Sequence, residues 1–321
     1  MAVRILDGGR EESINLAASL LERGDVVAFP TETVYGLGAD ALNPYAVLKI
    51  FEIKRRPKFD PLIVHILEEG WLDELAHEVP YTARRLLERF WPGPLTLILK
   101  KRPVIPDIVT SGLPTVAIRM PSHPVALRLL RRLSRPIAAP SANPFGYLSP
   151  TKAEHVARML GDRIPLILDG GECEYGIEST ILSFVGEKVY IHRHGSVTQE
   201  EIEEVVGRVE EWRGKALAPG GLPSHYAPKR PIKIVDSAGE IENPHSGFLA
   251  FRRPELPVPS RYVRVLSERG DLREAATRFF SCLHDLDRDD VEIIYAERIP
   301  GTGLGRAMME RLLKASKAAV F

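Results

Sequence analysis

Four cations stand where the chain leaves regular structure: Lys54 and Arg56 in "KRRPKFDPLIVH", Arg119 closing "VAIR", and Arg193 closing "VYIHR". Guanidinium and ammonium groups gathered at strand mouths suit a ligand with several carboxylates or phosphates, because arginine holds an oxyanion bidentately. Between the last two cations run "APSAN" (residues 139–143) and "GIESTI" (residues 176–181), small-residue turns that offer hydroxyls and free backbone donors. Other chemistries find less support. The chain has no GxxxxGK[ST] phosphate loop, no GxSxG elbow and no HExxH helix. "GTGLG" (residues 301–305) follows a strand and opens a helix, but no acidic residue stands ~20 positions on to meet a ribose. An ordinary strand-to-helix turn is expected there. His192 and His194 share a strand face at i, i+2 without a third ligand nearby, so packed or surface imidazoles are expected rather than a metal site.

The elements that must position these residues alternate between apolar runs and helical periods, the signature of an α/β protein. Strands are expected at 26–29, 62–66, 95–100, 116–119, 166–169, 179–184 and 189–193, and helices at 43–54, 81–90, 124–133, 151–160 and 198–212. In the first of these helices Val47, Ile50, Phe51 and Lys54 recur at i, i+3, i+4 and i+7, a stripe that buries three apolar side chains and lets the lysine emerge at the end. The stretch 213–231 contains four prolines and three glycines, which rules out a regular element. It divides the chain into a domain of residues 1–212, a linker of residues 213–231, and a small α/β domain of residues 232–321. Strands at 232–235, 248–251, 262–265 and 291–296 with helices at 272–286 and 304–316 are expected in the last.

Forty-three basic residues balance forty-three acidic ones, so no global field draws nucleic acid or an anionic membrane, and any basic site is local. Cys173 and Cys282 stand far apart, which argues against a disulfide framework or zinc fingers and fits a reducing compartment. No apolar run approaches the ~18 residues of a membrane span, and the polar first dozen residues do not read as a signal segment. A cytoplasmic, membrane-free protein is expected.

Eight ordered blocks carry a resemblance: "FPTETVYGLGADA" (29–41), "KRRP" (54–57), "WPGPLTLIL" (91–99), "VAIRMPSHP" (116–124), "APSAN", "SPT" (149–151), "IESTI" (177–181) and "RHG" (193–195). Together they are similar to the YrdC-like domain of threonylcarbamoyl-AMP synthases. "HYAP" (225–228) and the terminal domain resemble the long, two-domain form, so the likeness spans essentially the whole chain. It implies a YrdC-like twisted mixed sheet with flanking helices and a concave basic cavity, plus a small C-terminal Rossmann-like domain. The implied reaction is a nucleotidyl transfer: L-threonine, bicarbonate or CO2, and ATP give threonylcarbamoyladenylate and pyrophosphate. A separate threonylcarbamoyl transferase then modifies the adenosine next to the anticodon of tRNA.

Carried over by position, the resemblance implies L-threonine contacts from Thr33, His65, Arg119, the Ala139 backbone and Ser179. It implies ATP contacts from Arg56, Asp60, Thr115, Ser141, Asn143, Ser149 and Arg193, with Tyr226 of the linker folding over the nucleotide as a lid. Lys54 and Arg56 would neutralise charge as pyrophosphate leaves. Mg²⁺ is expected to arrive with ATP, with no protein metal ligands assigned, and no tightly bound organic cofactor or stable nucleic-acid complex is expected. Two other readings of a concave basic face are an RNA-binding module and a carbamoyl-transfer enzyme of the hydrogenase-maturation type. Zero net charge argues against the first, and two cysteines cannot build the Cys-rich fingers usual in the second.

Overall fold

The computed structural model describes residues 3–214, 217, 225–255 and 257–317. The chain begins with β1 (Arg4–Asp7), α1 (Glu11–Glu22), β2 (Val27–Phe29), β3 (Gly36–Asp40), α2 (Pro44–Lys54), β4 (Ile63–His65), α3 (Leu72–Leu75), α4 (Tyr81–Phe90) and β5 (Leu95–Lys100). It continues through α5 (Asp107–Thr110), β6 (Thr115–Arg119), α6 (Pro124–Leu133), β7 (Ile137–Ala138), α7 (Ala153–Leu160), β8 (Leu166–Asp169), β9 (Thr180–Val185), β10 (Lys188–Arg193), α8 (Gln199–Val206) and β11 (Glu210–Glu211). These eleven strands join in one mixed sheet in the order β1-β8-β2-β3-β7-β4-β6-β5-β9-β10-β11. A second, wholly parallel sheet orders β12 (Ile232–Val235), β15 (Ile294–Glu297), β13 (Gly247–Ala250) and β14 (Tyr262–Val265), with α9 (Leu272–Leu286) and α10 (Leu304–Ser316) beside it. Helices on the faces of a parallel sheet leave its strands buried on both sides, which is why β13 reads as a continuous apolar run.

Register decides which side chains meet. Ile63, Val64 and His65 pair with Ala117, Ile118 and Arg119. Arg119 in turn stands opposite Thr96, Thr96 opposite Ile181, and Ile181 opposite Arg193. One row across five strands therefore reads His65, Arg119, Thr96, Ile181, Arg193. Because side chains alternate between faces, His65 and Ile63 share a side with Arg119, Ala117 and Thr115, while Val64 and Ile118 enter the main core on the other side.

Three local features depart from the sequence pattern. Strand β3, which is not among the expected strands, holds two glycines; a Cβ on Gly38 would come within 2.6 Å of Phe29 and 2.7 Å of Ile137, so close packing requires glycine there. The helix expected over 198–212 stops at Val206, because Gly207 adopts φ +76°, and Glu210–Glu211 then pairs with Tyr190–Ile191 as an edge strand. Lys54 does not emerge from α2. Arg55 adopts a left-handed conformation (φ +53°) that terminates the helix, and Lys54 is left 1% exposed.

The two sheets share a core. Val34, Leu148, Ile177 and Tyr226 cluster with Phe279, Phe280, Met308 and Leu312 of the C-terminal helices. Gly176, at φ +70°, sits where a Cβ would lie 2.2 Å from the Thr277 carbonyl oxygen, so the 176–181 turn abuts the backbone of α9. Gly303 and Arg306 of the glycine-rich turn make a further contact between the domains: the Gly303 N–H donates to Glu200 at 3.5 Å, and Arg306 reaches Gln199 and pairs with Glu200 at 3.2 Å. That segment is an interdomain joint, not a dinucleotide loop.

Candidate active site

At the row of paired strand ends lies a cavity of about 50 Å³ lined by Thr33, His65, Arg119, Ala139, Ser141, Arg56, Arg193 and Tyr226. Thr31, Val34, Gly36, Ile63, Pro140, Glu178 and His225 complete its wall. Three arginines thus converge from the turn after α2, from β6 and from β10, each at most 6% exposed. Each is fixed by a different neighbour. Arg119 pairs with Glu32 at 2.5 Å and donates to Thr33 Oγ1 at 2.9 Å. Arg56 pairs with Asp60 at 2.8 Å and donates to the Asp60 and Pro61 carbonyls at 3.0 and 2.8 Å. Arg193 donates to the Ser179 carbonyl and hydroxyl, both at 3.0 Å, and that hydroxyl lies 2.8 Å from Thr96 Oγ1.

Six of the expected contacts are absent from the lining; partners show what Asp60, Ser179, Lys54, Asn143 and Ser149 do behind the wall, and Thr115 lies apart on the sheet face. Asp60 orients Arg56. Ser179 orients Arg193. Lys54 Nζ donates to the Ser141 carbonyl at 2.6 Å and to that of Asn143, and Asn143 Nδ2 donates to the Pro144 and Tyr147 carbonyls at 2.9 Å, so both brace the 139–148 loop. Ser149 is fully buried and donates to Glu178 at 2.5 Å, while its carbonyl accepts from His284 at 3.0 Å. Thr115 stands four residues before Arg119, about 13 Å along the strand, on the same face. Between them Ile63, Ile98, Ala117 and Ile181 form an apolar floor against which Leu217 packs.

Two acidic residues escaped the sequence reading. Glu32 anchors Arg119 and also accepts from the Ser122 N–H at 3.1 Å. Glu178 pairs at 2.9 Å with Arg311, a side chain of α10 that is 1% exposed. Arg311 also donates to the His194 carbonyl at 2.7 Å and lies 5.3 Å from the centre of the Tyr226 ring. Glu32 and Glu178 stand inside the quoted blocks, beside residues marked as ligands. The signal available was the excess of buried arginine, which in a low-dielectric setting demands carboxylate partners.

Burial sets the protonation states. It pushes His65 down to about 3, with the Arg119 charge acting in the same direction, and it pushes His225 down to about 3 as well. Both imidazoles are neutral near pH 7. A base that weak cannot serve as an efficient proton acceptor there. Burial also lowers Lys54 well below its usual range, reinforced by Arg56. For Glu178 burial alone would raise the carboxyl; Arg311, Arg193 and the Ser149 hydroxyl outweigh it and hold it below the usual range. Tyr226 is pushed up to about 12 by burial.

Tyr226 forms part of the cavity wall. Tyr226 is 3% exposed and adopts φ +63°, a conformation that costs a residue with a Cβ about 1–3 kcal/mol. The phenol oxygen of Tyr226, Nδ1 of His225, Nδ1 of His65 and Nε of Arg119 are buried with no hydrogen-bond partner among the described residues. Buried polar atoms are nearly always satisfied, so four orphans around one hollow mark a place for a polar ligand. The space, enough for a few waters, is far below the ~300 Å³ at which ligand pockets begin.

His192 and His194 diverge. His192 lies 2.7 Å from Ser183 Oγ and stacks on Trp212, whereas His194 pairs with Glu211 at 2.7 Å. No group of three metal-binding side chains occurs among the described residues. Glu32, Asp60 and Glu178 are each committed to an arginine, so the residues here do not fit a resident metal ion.

A mixed α/β sheet with three buried arginines lining one cavity beside Tyr226 defines a protein with a site suited to small anions. A family model covering Sua5, YciO and YrdC proteins, described as Telomere recombination, matches residues 19–195, and a second, described as Threonylcarbamoyl-AMP synthase, C-terminal domain, matches residues 197–317. The chain belongs to the threonylcarbamoyl-AMP synthase family in its two-domain form. It is 44% identical to the Threonylcarbamoyl-AMP synthase of Bacillus subtilis, over 97% of this chain and 94% of the relative. The crystal structure of Pyrococcus abyssi Sua5 complexed with L-threonine superposes with a TM-score of 0.89 at 41% identity, covering 96% of this chain and 95% of the other. A putative threonylcarbamoyl-AMP synthase of Mycobacterium tuberculosis is 38% identical over 62% of this chain but 91% of its own length. The first domain therefore occurs without the second.

Proposed function

We propose that this threonylcarbamoyl-AMP synthase holds L-threonine in the cavity and lays ATP along the neighbouring sheet face. Arg119 and Thr33 receive the threonine carboxylate; His65, the Ala139 backbone and the Arg193-bound Ser179 complete the amino-acid end. Arg56, Ser141 and Arg193 meet the phosphates, supported by Lys54, Asp60 and Asn143. The apolar floor of Ile63, Ile98, Ala117 and Ile181 suits adenine, and Thr115 lies at its far end. Ser149 serves through Glu178, and Tyr226 covers the nucleotide.

Bicarbonate and the threonine amine form a carbamate with loss of water. A carbamate oxygen then attacks the α-phosphorus, the bond to the β-phosphate oxygen breaks, and pyrophosphate leaves. A threonine carbamate decomposes readily in bulk water, so holding it beside the α-phosphorus in a sealed space supplies much of the catalysis. Arg56 and Arg193 stabilise charge developing on the phosphate oxygens. Mg²⁺ enters with ATP as part of the substrate. The product passes to a threonylcarbamoyl transferase that modifies tRNA, and the chain works in the cytoplasm; none of its described helices is long and apolar enough to cross a membrane.

The observation that carries this reading is the convergence of Arg56, Arg119 and Arg193 on one hollow with four orphaned polar atoms. The test is pyrophosphate release from ATP with detection of the adenylate by mass spectrometry. Release should require both L-threonine and bicarbonate, and Arg193→Ala should slow it by about 10²-fold or more. Release independent of threonine would refute the assignment.

A further inference from the structure

Beside the active cavity, the two domains enclose a second hollow of about 500 Å³. The 139–148 loop separates them, giving Ala139, Pro140 and Ser141 to one and Pro144, Phe145, Tyr147 and Leu148 to the other. Five cations face the second hollow: Lys54, Arg55, Arg158, Arg163 and Lys229, against one acid, Asp287. None of the five is ion-paired to a carboxylate among the described residues. Lys54 and Arg163 donate only to backbone carbonyls, and Arg55, Arg158 and Lys229 make no side-chain hydrogen bond. Asp287 is itself occupied by the Arg230 N–H at 3.2 Å.

In a chain with no net charge, and with arginines elsewhere so regularly paired, such a concentration is unfavourable unless an anion neutralises it. We propose that this interdomain cleft is a second anion site, built for a small molecule that carries a di- or triphosphate group. Its volume lies within the ~300–1,000 Å³ of ligand sites, and Phe145 and Tyr147 supply an aromatic wall where a nucleoside base would lie. An RNA backbone would call for a stripe of cations along an open surface; here they surround a single hollow. Occupancy has two routes to the active cavity. Lys229 follows the lid residue Tyr226 by three positions, and Lys54 lines the cleft while bracing Ser141. This site stands independently of the substrate assignments above.

The test is equilibrium binding of inorganic pyrophosphate to the full-length chain. Two sites are expected. Arg158→Gln combined with Lys229→Gln changes two side chains without structural partners and should remove one site, or weaken it at least tenfold, leaving the synthase rate at low pyrophosphate unchanged. Arg193→Ala should weaken the other site and spare this one. With ATP as the probe in the Arg193→Ala background, residual binding lost on adding the cleft substitutions identifies a nucleotide polyphosphate. No residual binding beside retained pyrophosphate binding identifies free pyrophosphate. A single pyrophosphate site in the unsubstituted chain, undiminished stoichiometry in the cleft variant, or binding confined to an RNA oligonucleotide would overturn the proposal.

Discussion

Replacing Arg311 with methionine tests how the second domain supports the first. The guanidinium sits 2.9 Å from Glu178, with the two side chains 1% and 7% exposed. Removing one member of such a pair leaves the other charge buried, at a cost of about 3–5 kcal/mol. Glu178 would keep the Ser149 hydroxyl and the more distant Arg193 charge, so the lower half of that range, about 3 kcal/mol, is expected at pH 7. The deficit should shrink on acidification. With Arg311 in place the Glu178 carboxyl is held below its ordinary value, so its stabilising contribution is present above about 4.5 and lost as pH falls through the folded value. Without Arg311 burial dominates and Glu178 takes up a proton more readily, which relieves the stranded charge. Guanidinium unfolding at pH 7.5 and 5.5 reads both effects, and the double variant Glu178→Gln/Arg311→Met should recover most of the loss. Because Arg311 underlies the Tyr226 ring, KM for ATP should rise as well. A single variant within 1 kcal/mol of the unsubstituted chain, or a double variant no more stable than the single, would refute the reasoning.

Arg119→Ala should cut adenylate formation by about 10²-fold or more and also lower the melting temperature, since it strands Glu32; Arg119→Lys should restore stability more than rate, because an ammonium cannot grip a carboxylate bidentately. His65 and His225, neutral in the fold with values near 3, favour the unfolded state once it protonates below about 6.5, so stability should fall from pH 6.5 downward by up to about 1.4 kcal/mol per pH unit for each. Equal unfolding midpoints at pH 7 and pH 5 would contradict that protonation state. Gly176→Ala would place a Cβ against the Thr277 carbonyl at a positive φ and should destabilise by at least about 2 kcal/mol; an unchanged denaturant midpoint would show that the domain contact there is loose. Truncation after Gly214 should leave a folded first domain, measured by circular dichroism, but with Glu178 uncovered and the Tyr226 lid absent it should lose most of its synthase rate.

Much of the scaffold was legible because periodicity and burial agree: α2, with Asn43 capping its first turn and Val47, Ile50 and Phe51 inside, follows the sequence pattern, as do β5 and β10. Where the reading failed, packing overrode a local rule. Strand β3 went unlisted among the expected strands because glycines disfavour strands, yet Gly38 is small so that Phe29 and Ile137 can approach. Gly207 was overlooked inside a charged stretch, and its positive φ ended α8 early. The cavity arginines could be named from their places at strand ends. Two of the compensating carboxylates could not: Asp60 stands four residues after Arg56, but Glu32 and Glu178 become partners of Arg119 and Arg311 only through contacts that no spacing encodes. Glu178 is the extreme case, joined to a residue 133 positions away.

Those partners explain how one small hollow can hold three guanidiniums. Uncompensated, like charges in a sealed space repel and favour opening; a carboxylate beside Arg119 and another beside Arg56 neutralise part of the field and leave donors in fixed directions. The hollow's donors are thereby held in fixed directions without a ligand. Tyr226 covers the hollow at a positive φ with its hydroxyl unsatisfied, and on the proposed reading a nucleotide that hydrogen-bonds the phenol would offset that cost. Arg311 ties this site to the second domain, since the cation that supports the Tyr226 ring also compensates Glu178 in the cavity wall.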